Sequence, residues 1–265
     1  MLDRLRNNGF SLTEVLMAAG ILAIGFAFIA GLFPVGVKLT GITTEQTIAP
    51  IVVDEAIAKI KLYADPNFTQ FLSPNQYKDF ADVALFTGLV IPDEEFEYPS
   101  TDISPELKKY HWSALCGLMP DGTVHVIVFV SRKAGAAARY LTHDSNWNPS
   151  DYGQAVTSEL GDWPIPVRMV AEIKDNKRKL IITDSGEGSY ISTGSTIVDD
   201  ATGWLYRVIE RKLKDDDIII TLDRSWKWVQ LVVLPVNVSV WVVPPAVGSG
   251  RNPCIRVDPT NTIRF

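Results

Sequence analysis

The chain has 265 residues, of which 46% are hydrophobic and 21% are charged, so it can build a folded core and is not disordered as a whole. Its formal net charge is −6 and it has no dense Lys/Arg block, which argues against a surface that neutralises nucleic-acid phosphates. Cys116 and Cys254 have neither zinc-site nor redox-motif spacing, which leaves a disulfide or two inert buried thiols as the alternatives.

The first predicted element is a helix over an apolar segment, residues 15–37, which carries no charge over 23 positions. As a helix it reaches about 34 Å, which matches a bilayer core of about 30 Å. Arg4 and Arg6 precede it, so the positive-inside rule predicts a cytoplasmic N-terminus and an exported body. A secretory signal peptide has a shorter apolar region, and a buried core helix is seldom apolar all round, so a plain signal anchor is the main alternative.

A single carboxylate, Glu14, stands immediately before the apolar segment. A charge in hydrocarbon costs several kcal/mol or more, so an acid inside a membrane is by default a functional group with a partner. The alternative is that Glu14 lies at the level of the lipid headgroups, where an acid near a helix start also suits the helix dipole.

The residues around Glu14 read GFSLTEVL and follow a short basic leader. This pattern resembles the cleavage and methylation signal of type IV pilins and of the pseudopilins of type II secretion. The resemblance implies that a prepilin peptidase cuts between Gly9 and Phe10 and methylates the new amine of Phe10. It also implies that Glu14 neutralises this ammonium, in its own chain or in a neighbouring subunit, and so fixes the register of a filament.

The resemblance implies a structural subunit, a minor pilin or pseudopilin, rather than an enzyme. Such a subunit is inserted in the inner membrane, with its body periplasmic or extracellular, and is then assembled into a type IV pilus or a type II secretion pseudopilus. Its partners are the prepilin peptidase, other subunits and membrane lipid, with no cofactor or metal. The alternative function is a permanently anchored single-pass protein with an exported β-rich binding domain.

Two prolines interrupt the predicted stalk helix, residues 10–63. Glycines and alanines give its apolar part a smooth surface that neighbouring helices can approach closely. Pro34 lacks a backbone donor and predicts a kink near the outer end of the apolar segment. Pro50 is expected to split the stalk into two pieces, because the residue before a proline avoids helical angles.

Residues 64–178 are expected to form a pilin-like head, with a short helix before an antiparallel sheet. Ser73 as the cap, Pro74 at the first position and Gly88 just past the end predict a helix over 74–86. The segments HWSALCGLM and TVHVIVFVSRK flank the turn PDG and predict a hairpin.

Residues 179–245 are expected to form a β-rich domain, a small barrel or sandwich, because five short strands separated by turns follow one another. The strand segments are KLIIT, SYISTGSTIVDD, GWLYRVIERK, DIIITLD and PVNVSVWVV, and the last two alternate cleanly between two faces. The tail, residues 246–265, is predicted to be an irregular surface segment. The fold class is therefore α+β, a long transmembrane and stalk helix on an antiparallel head, with the leader at residues 1–9.

Other candidate sites have weaker support. The stretch DSNWNPSD from Asp144 has calcium-like spacing, but Pro149 and Ala155 stand where a calcium loop needs glycine and a bidentate acid. The aspartates at residues 199–200 are expected to be solvated turn residues. His125 interrupts an apolar strand and is interpreted as a packed or edge histidine. No histidine lies in a known catalytic motif, so the sequence predicts no catalytic set.

Overall fold

The computed structural model describes residues 11–65, 67–101, 104, 108–135, 137–142, 159–173, 177–182, 187–214, 217–227, 235–248 and 252–264. These residues belong to two compact units, Met1–Ile48 and Ala49–Phe265. The leader with its processing site and the calcium-like stretch from residue 144 lie outside the described residues.

The first helix, α1, runs from Leu12 to Tyr63 without interruption. The expected division at Pro50 is therefore wrong. From the residue before Pro50 onward, one stripe of α1 is buried, and burial of this stripe offsets the loss of the backbone hydrogen bond that the proline cannot make. The buried residues of the stripe are Ala49, Val52, Val53, Ala56 and Ile60. The kink at Pro34 stays a prediction, since α1 is helical on both sides of it.

The remaining elements are short. In the part of the chain that the structure describes, the second helix, α2, is Phe80–Phe86, and three short 3-10 helices are Phe68–Phe71, Asp93–Phe96 and Glu187–Tyr190. The strands within the described residues are β1 Tyr77–Asp79, β2 Glu97–Tyr98, β3 Tyr110–Leu118, β4 Val124–Arg132, β5 Tyr140–Thr142, β6 Glu159–Gly161, β7 Val167–Ile173, β8 Lys179–Ile182, β9 Thr196–Asp199, β10 Leu205–Lys214, β11 Asp217–Leu222, β12 Val236–Val242 and β13 Cys254–Ile263.

The predicted helix over 74–86 begins six residues late, and its cap is Asp79 rather than Ser73. The Asp79 carboxylate accepts a hydrogen bond from the backbone N–H of Ala81 at 2.8 Å. The residues just before α2 form β1 and pair with β3, so long-range pairing outweighs the local preference of Pro74 for a helix start. Gly88, with φ +84°, follows the helix end as expected.

The larger open sheet has the strand order β1-β3-β4-β13, with β2 also paired to β3. The predicted hairpin is confirmed as β3 and β4, which pair from Tyr110 and Arg132 to Leu118 and Val124. The expectation of an irregular tail is wrong, because β13 pairs with β4 along most of its length. An apolar edge of β4 would otherwise be left without a partner.

A closed barrel of six strands, in the order β10-β11-β8-β7-β12-β9, is inserted in the chain between β4 and β13. All five strands expected after residue 179 belong to it, together with β7, so its strands begin at Val167. The alternation in β11 is as predicted: Ile218, Ile220 and Leu222 are buried in the barrel core. Closure removes the exposed edges that an open sheet of these strands would have.

Sheet and barrel share a core. Leu115 and Ile127 from the sheet and Val198, Trp241 and Val243 from the barrel belong to one buried cluster. The opposite face of β3 presents Trp112, whose ring packs 6.2 Å from Phe80 of α2. The sheet is thus covered on both faces, which explains why β4 is buried along nearly its whole length.

Cys116 and Cys254 are free thiols. Cys116 lies on β3 opposite Val126, and Cys254 lies on β13 opposite Ser131, so β4 separates them. Five residues along a strand correspond to about 17 Å, far beyond disulfide distance. The disulfide alternative is therefore wrong; Cys116 is buried as the other alternative expects, whereas Cys254 is only half-buried.

Candidate functional site

The candidate site is the apolar segment, residues 15–37, in the N-terminal part of α1. Its large side chains are more than half exposed at successive positions, so the helix is apolar on every side. Examples are Ile21, Phe26, Phe28, Leu32 and Phe33. Within the described residues, α1 is the one helix whose length and composition would let it cross a membrane, with a mean hydropathy of 2.5 in its most apolar window.

Glu14 lies in the first turn of α1, where its backbone N–H donates to the carbonyl of Ser11 at 3.0 Å. The Ser11 hydroxyl in turn accepts from the backbone N–H of Thr13 at 3.3 Å, which caps the helix start. The Glu14 side chain is exposed and precedes the charge-free segment. A carboxylate in this place can pair with a cation presented at the same level by another group.

The glycines of the apolar segment leave open space at its surface. A Cβ atom built at Gly20, Gly25, Gly31 or Gly36 would meet no atom within 4 Å. None of these glycines is therefore needed for packing against the described part of its own chain. Small residues of this kind allow the backbone of a second helix to come close.

Threonines follow the apolar segment and bond back onto the helix. The hydroxyls of Thr40, Thr43, Thr44 and Thr47 each donate to the carbonyl four residues earlier, at 2.9–3.0 Å. These bonds satisfy each hydroxyl within the helix. They lower the free energy needed to transfer the segment into a low-polarity environment. The sequence signal for these bonds is the presence of threonines inside a predicted helix.

The other predicted site residues stand as follows. Arg4, Arg6, Gly9 and Phe10 lie outside the described residues, so their roles in the leader and in processing remain predictions. Glu14 is brought to the start of the helix, but no described residue of this chain is placed beside it as the predicted cation.

A second polar site, the junction of sheet and barrel, was missed. Asp199 and Asp200 were expected to be solvated, but only 3% and 4% of their surfaces are exposed. The Asp200 carboxylate accepts from Arg168 Nη2 at 2.7 Å and from Trp241 Nε1 at 2.6 Å. Its carbonyl accepts from the backbone N–H of Tyr77 at 3.0 Å, because the turn after β9 folds against β1. A turn motif in the sequence does not reveal such long-range contacts.

Burial dominates the electrostatics of the junction. It raises the pKa of Asp199 and Asp200, while the Arg168 guanidinium and the Trp241 donor act in the opposite direction on Asp200. Burial also raises the pKa of the Tyr77 hydroxyl, assisted by the charge of Asp199. The junction thus holds two carboxylates and one guanidinium away from water, an arrangement that stabilises one geometry between sheet and barrel.

An open cleft of about 480 Å³ lies beside the junction, and its wall includes Tyr77, His125, Trp204, Arg224 and Pro259. The Tyr77 hydroxyl donates to His125 Nδ1 at 2.6 Å, and His125 Nε2–H donates to the carbonyl of Pro259. A carbonyl can only accept, so these partners assign the proton to Nε2. His125 is half-buried, and β4 has a partner strand on each side, so of the two expected alternatives, a packed or an edge histidine, the packed one is observed. This histidine bonds two residues of the cleft wall.

Within the residues that the structure describes, no group of three or more His, Cys, Asp or Glu side chains could hold a metal ion. Comparisons of the chain with protein-family models, with curated proteins and with solved structures found no match.

Proposed function

We propose that the protein is a prepilin-like structural subunit, a minor pilin or pseudopilin. In this proposal the prepilin peptidase cuts after Gly9, Phe10 becomes the methylated N-terminus, and the subunit leaves the inner membrane to enter a type IV pilus or a type II secretion pseudopilus. Glu14 pairs with the ammonium of Phe10, in the same chain or in a neighbouring one.

The observation that carries the proposal is the apolar segment, whose side chains are exposed all round and which begins directly after Glu14. Such a surface is unstable in water and needs lipid or a bundle of similar helices around it. The open space at its glycines and the back-bonded threonines are compatible with a helix that lies first in lipid and then in a bundle of similar helices. The large unit at Ala49–Phe265 supplies the body that would be displayed.

The charge balance supports a role for Glu14 in assembly. A carboxylate buried in a filament core without a counter-charge is strongly unfavourable, and a paired one is tolerated only in one geometry. Methylation of the Phe10 amine keeps its positive charge, so the modified N-terminus can still neutralise Glu14. The pair would form only after the leader has been removed.

The decisive experiment is mass spectrometry of the N-terminal peptide from the membrane and filament fractions of cells with an active prepilin peptidase. We expect a peptide that begins at N-methylated Phe10. A Gly9→Leu variant is the matched control and should keep Met1, because a large side chain replaces the glycine at the cut.

Two results would contradict the proposal. An intact Met1 in the wild type would favour the alternative of a permanently anchored single-pass protein. A cut within residues 15–37 would instead indicate ordinary secretory processing.

A further inference from the structure

The cleft between the barrel turn at Thr202 and the sheet has the composition of a small-molecule site. Its volume of about 480 Å³ falls within the range of ligand pockets, and its wall is largely apolar with a few convergent polar groups. It lies entirely within the unit Ala49–Phe265, so its binding properties are independent of the processing proposed above.

An indole ring forms one side of the cleft. Trp204 is 42% exposed although it is large and apolar, so part of its indole is open to solvent. The Lys227 ammonium lies 3.3 Å from the centroid of this ring but is not part of the cleft wall. This cation–π contact holds the ring in one orientation. The Trp204 side chain therefore loses less conformational entropy when a ligand stacks on it.

Three oxygen atoms of the cleft wall can accept hydrogen bonds from a ligand but cannot donate them. The Tyr77 hydroxyl donates its proton to His125, and the Thr202 hydroxyl donates its proton to Asp199, so both oxygens retain only accepting capacity. The Thr202 oxygen already accepts from the backbone N–H of Trp204 at 3.3 Å, which leaves it one lone pair. The Pro259 carbonyl receives one bond from His125 and has a second lone pair. A ligand with several O–H donors would satisfy these three oxygen atoms.

The remaining polar group is a cation. Arg224 has the one permanently charged side chain in the described wall of the cleft, and it is about half exposed. Its Nε and Nη2 both donate to Oδ2 of Asp223, at 3.1 and 3.0 Å, which orients the guanidinium and leaves Nη1 available. A guanidinium in this setting favours a carboxylate on the ligand.

We propose that this cleft binds a saccharide unit that carries a carboxylate, of the uronic-acid type. The pyranose ring stacks on Trp204, its hydroxyls donate to the oxygens of Tyr77, Thr202 and Pro259, and its carboxylate accepts from Arg224. Gly203, with φ +70°, allows the turn to come close to Tyr77 and leaves the base of the cleft free of a further side chain.

The test is isothermal titration calorimetry on the full chain in detergent micelles. The probes are trimers of galacturonate and of glucuronate, together with the neutral galactose and glucose trimers of the same linkages. We expect the wild type to bind an acidic trimer about tenfold more tightly than its neutral counterpart, as one charge-assisted hydrogen bond allows.

Three variants assign the binding to the cleft. Trp204→Ala should weaken binding of the acidic trimer about tenfold, and Trp204→Phe should recover part of it, because the smaller ring still stacks. Arg224→Gln should reduce the affinity for the acidic trimer to that for the neutral one. Arg256→Gln is the matched control, since Arg256 is also half exposed and donates through Nε and Nη2 to one oxygen of Asp258, yet lies outside the cleft wall.

The thermal melt of each variant shows whether it is folded. The inference is overturned if neither acidic trimer binds the wild type, if acidic and neutral trimers bind equally, or if Trp204→Ala or Arg224→Gln leaves binding of the acidic trimer unchanged. None of these results bears on cleavage after Gly9, so failure of this inference is distinguishable from failure of the proposed function.

Discussion

Arg168 of β7 and Asp200 of the turn after β9 form an ion pair at 2.7 Å in which each side chain is only 6% exposed. The same carboxylate accepts from Trp241 of β12, and the backbone of Asp200 accepts from Tyr77 of β1. One aspartate therefore connects three barrel elements with the open sheet. Such a pair stabilises the correct packing chiefly by penalising any geometry in which one charge is left alone.

Replacing Arg168 by methionine should lower the free energy of unfolding by about 3–5 kcal/mol, because the Asp200 carboxylate would stay buried without its cation. The measurement is urea unfolding in detergent micelles followed by tryptophan fluorescence. The matched control is Arg139→Met, which breaks the exposed pair of Arg139 and Asp162 and should cost about 1 kcal/mol or less. Equal losses in the two variants would contradict the assigned role of the junction.

His111 should make the protein acid-sensitive. Its ring is stacked between Phe96 at 6.0 Å and Trp163 at 5.4 Å, and burial lowers its pKa from 6.5 to about 3. A depressed histidine pKa contributes stability that is present above pH 6.5 and is lost as pH falls towards 3. Each pKa unit of difference corresponds to about 1.4 kcal/mol.

His111→Phe should keep the aromatic stack and remove this part of the acid sensitivity. The measurement is the free energy of unfolding at several pH values between 7 and 3.5, where we expect a shallower decline in the variant than in the wild type. If the plots of unfolding free energy against pH are parallel for the variant and the wild type, His111 does not contribute to the acid sensitivity.

Gly203 should tolerate alanine poorly. Its φ is +70°, and an added Cβ would lie 2.6 Å from Cζ of Tyr77. Gly194 is the matched control, because its φ is +89° but a Cβ there meets no atom within 4 Å. Gly194→Ala should lower the free energy of unfolding by about 1 kcal/mol, because only the backbone is strained. Gly203→Ala should lower it clearly more, because the added Cβ also meets Tyr77. Thermal unfolding measures both. Equal costs would mean that the contact with Tyr77 relaxes freely.

Glu14 should matter for assembly rather than for cleavage. Glu14→Val and the isosteric Glu14→Gln should leave the Phe10 terminus in the membrane fraction and lower recovery in sheared filaments, because the Phe10 ammonium would lose its counter-charge. Asp54→Asn, at an exposed position of the same helix, is the control and should assemble normally. Equal recovery of the Glu14 variants and the wild type in filaments would refute the register role.

Elements with a strong local period were predicted well. The continuous apolar run predicted a helix over residues 15–37, which lies within α1, and alternation along β11 and β12 predicted strands with one face in a core. The hairpin of β3 and β4 followed from a turn signal between two apolar runs. In each case the signal lies within a continuous stretch of at most 23 residues, so no knowledge of the rest of the fold is needed.

Elements that depend on distant partners were mispredicted. The residues of β1 read locally as a helix start, and those of β13 as an irregular tail, but both become strands because β3 and β4 offer them open edges. The barrel strand β7 was assigned to the head for the same reason. Asp199 and Asp200 were read as solvated because aspartates in turns usually are.

The amino-acid order by itself determined the apolar segment, the isolated carboxylate of Glu14 before it and the resemblance on which the proposed processing rests, since these depend only on neighbours along the chain. The tertiary structure alone decided that a closed barrel is inserted between two paired strands, that Asp200 is buried against Arg168, and that Trp204 and Arg224 border one cleft. The physical reason is that burial and strand pairing are set by residues distant along the chain, 32 positions for Arg168 and Asp200 and more than a hundred for β4 and β13, and local periodicity does not record those contacts.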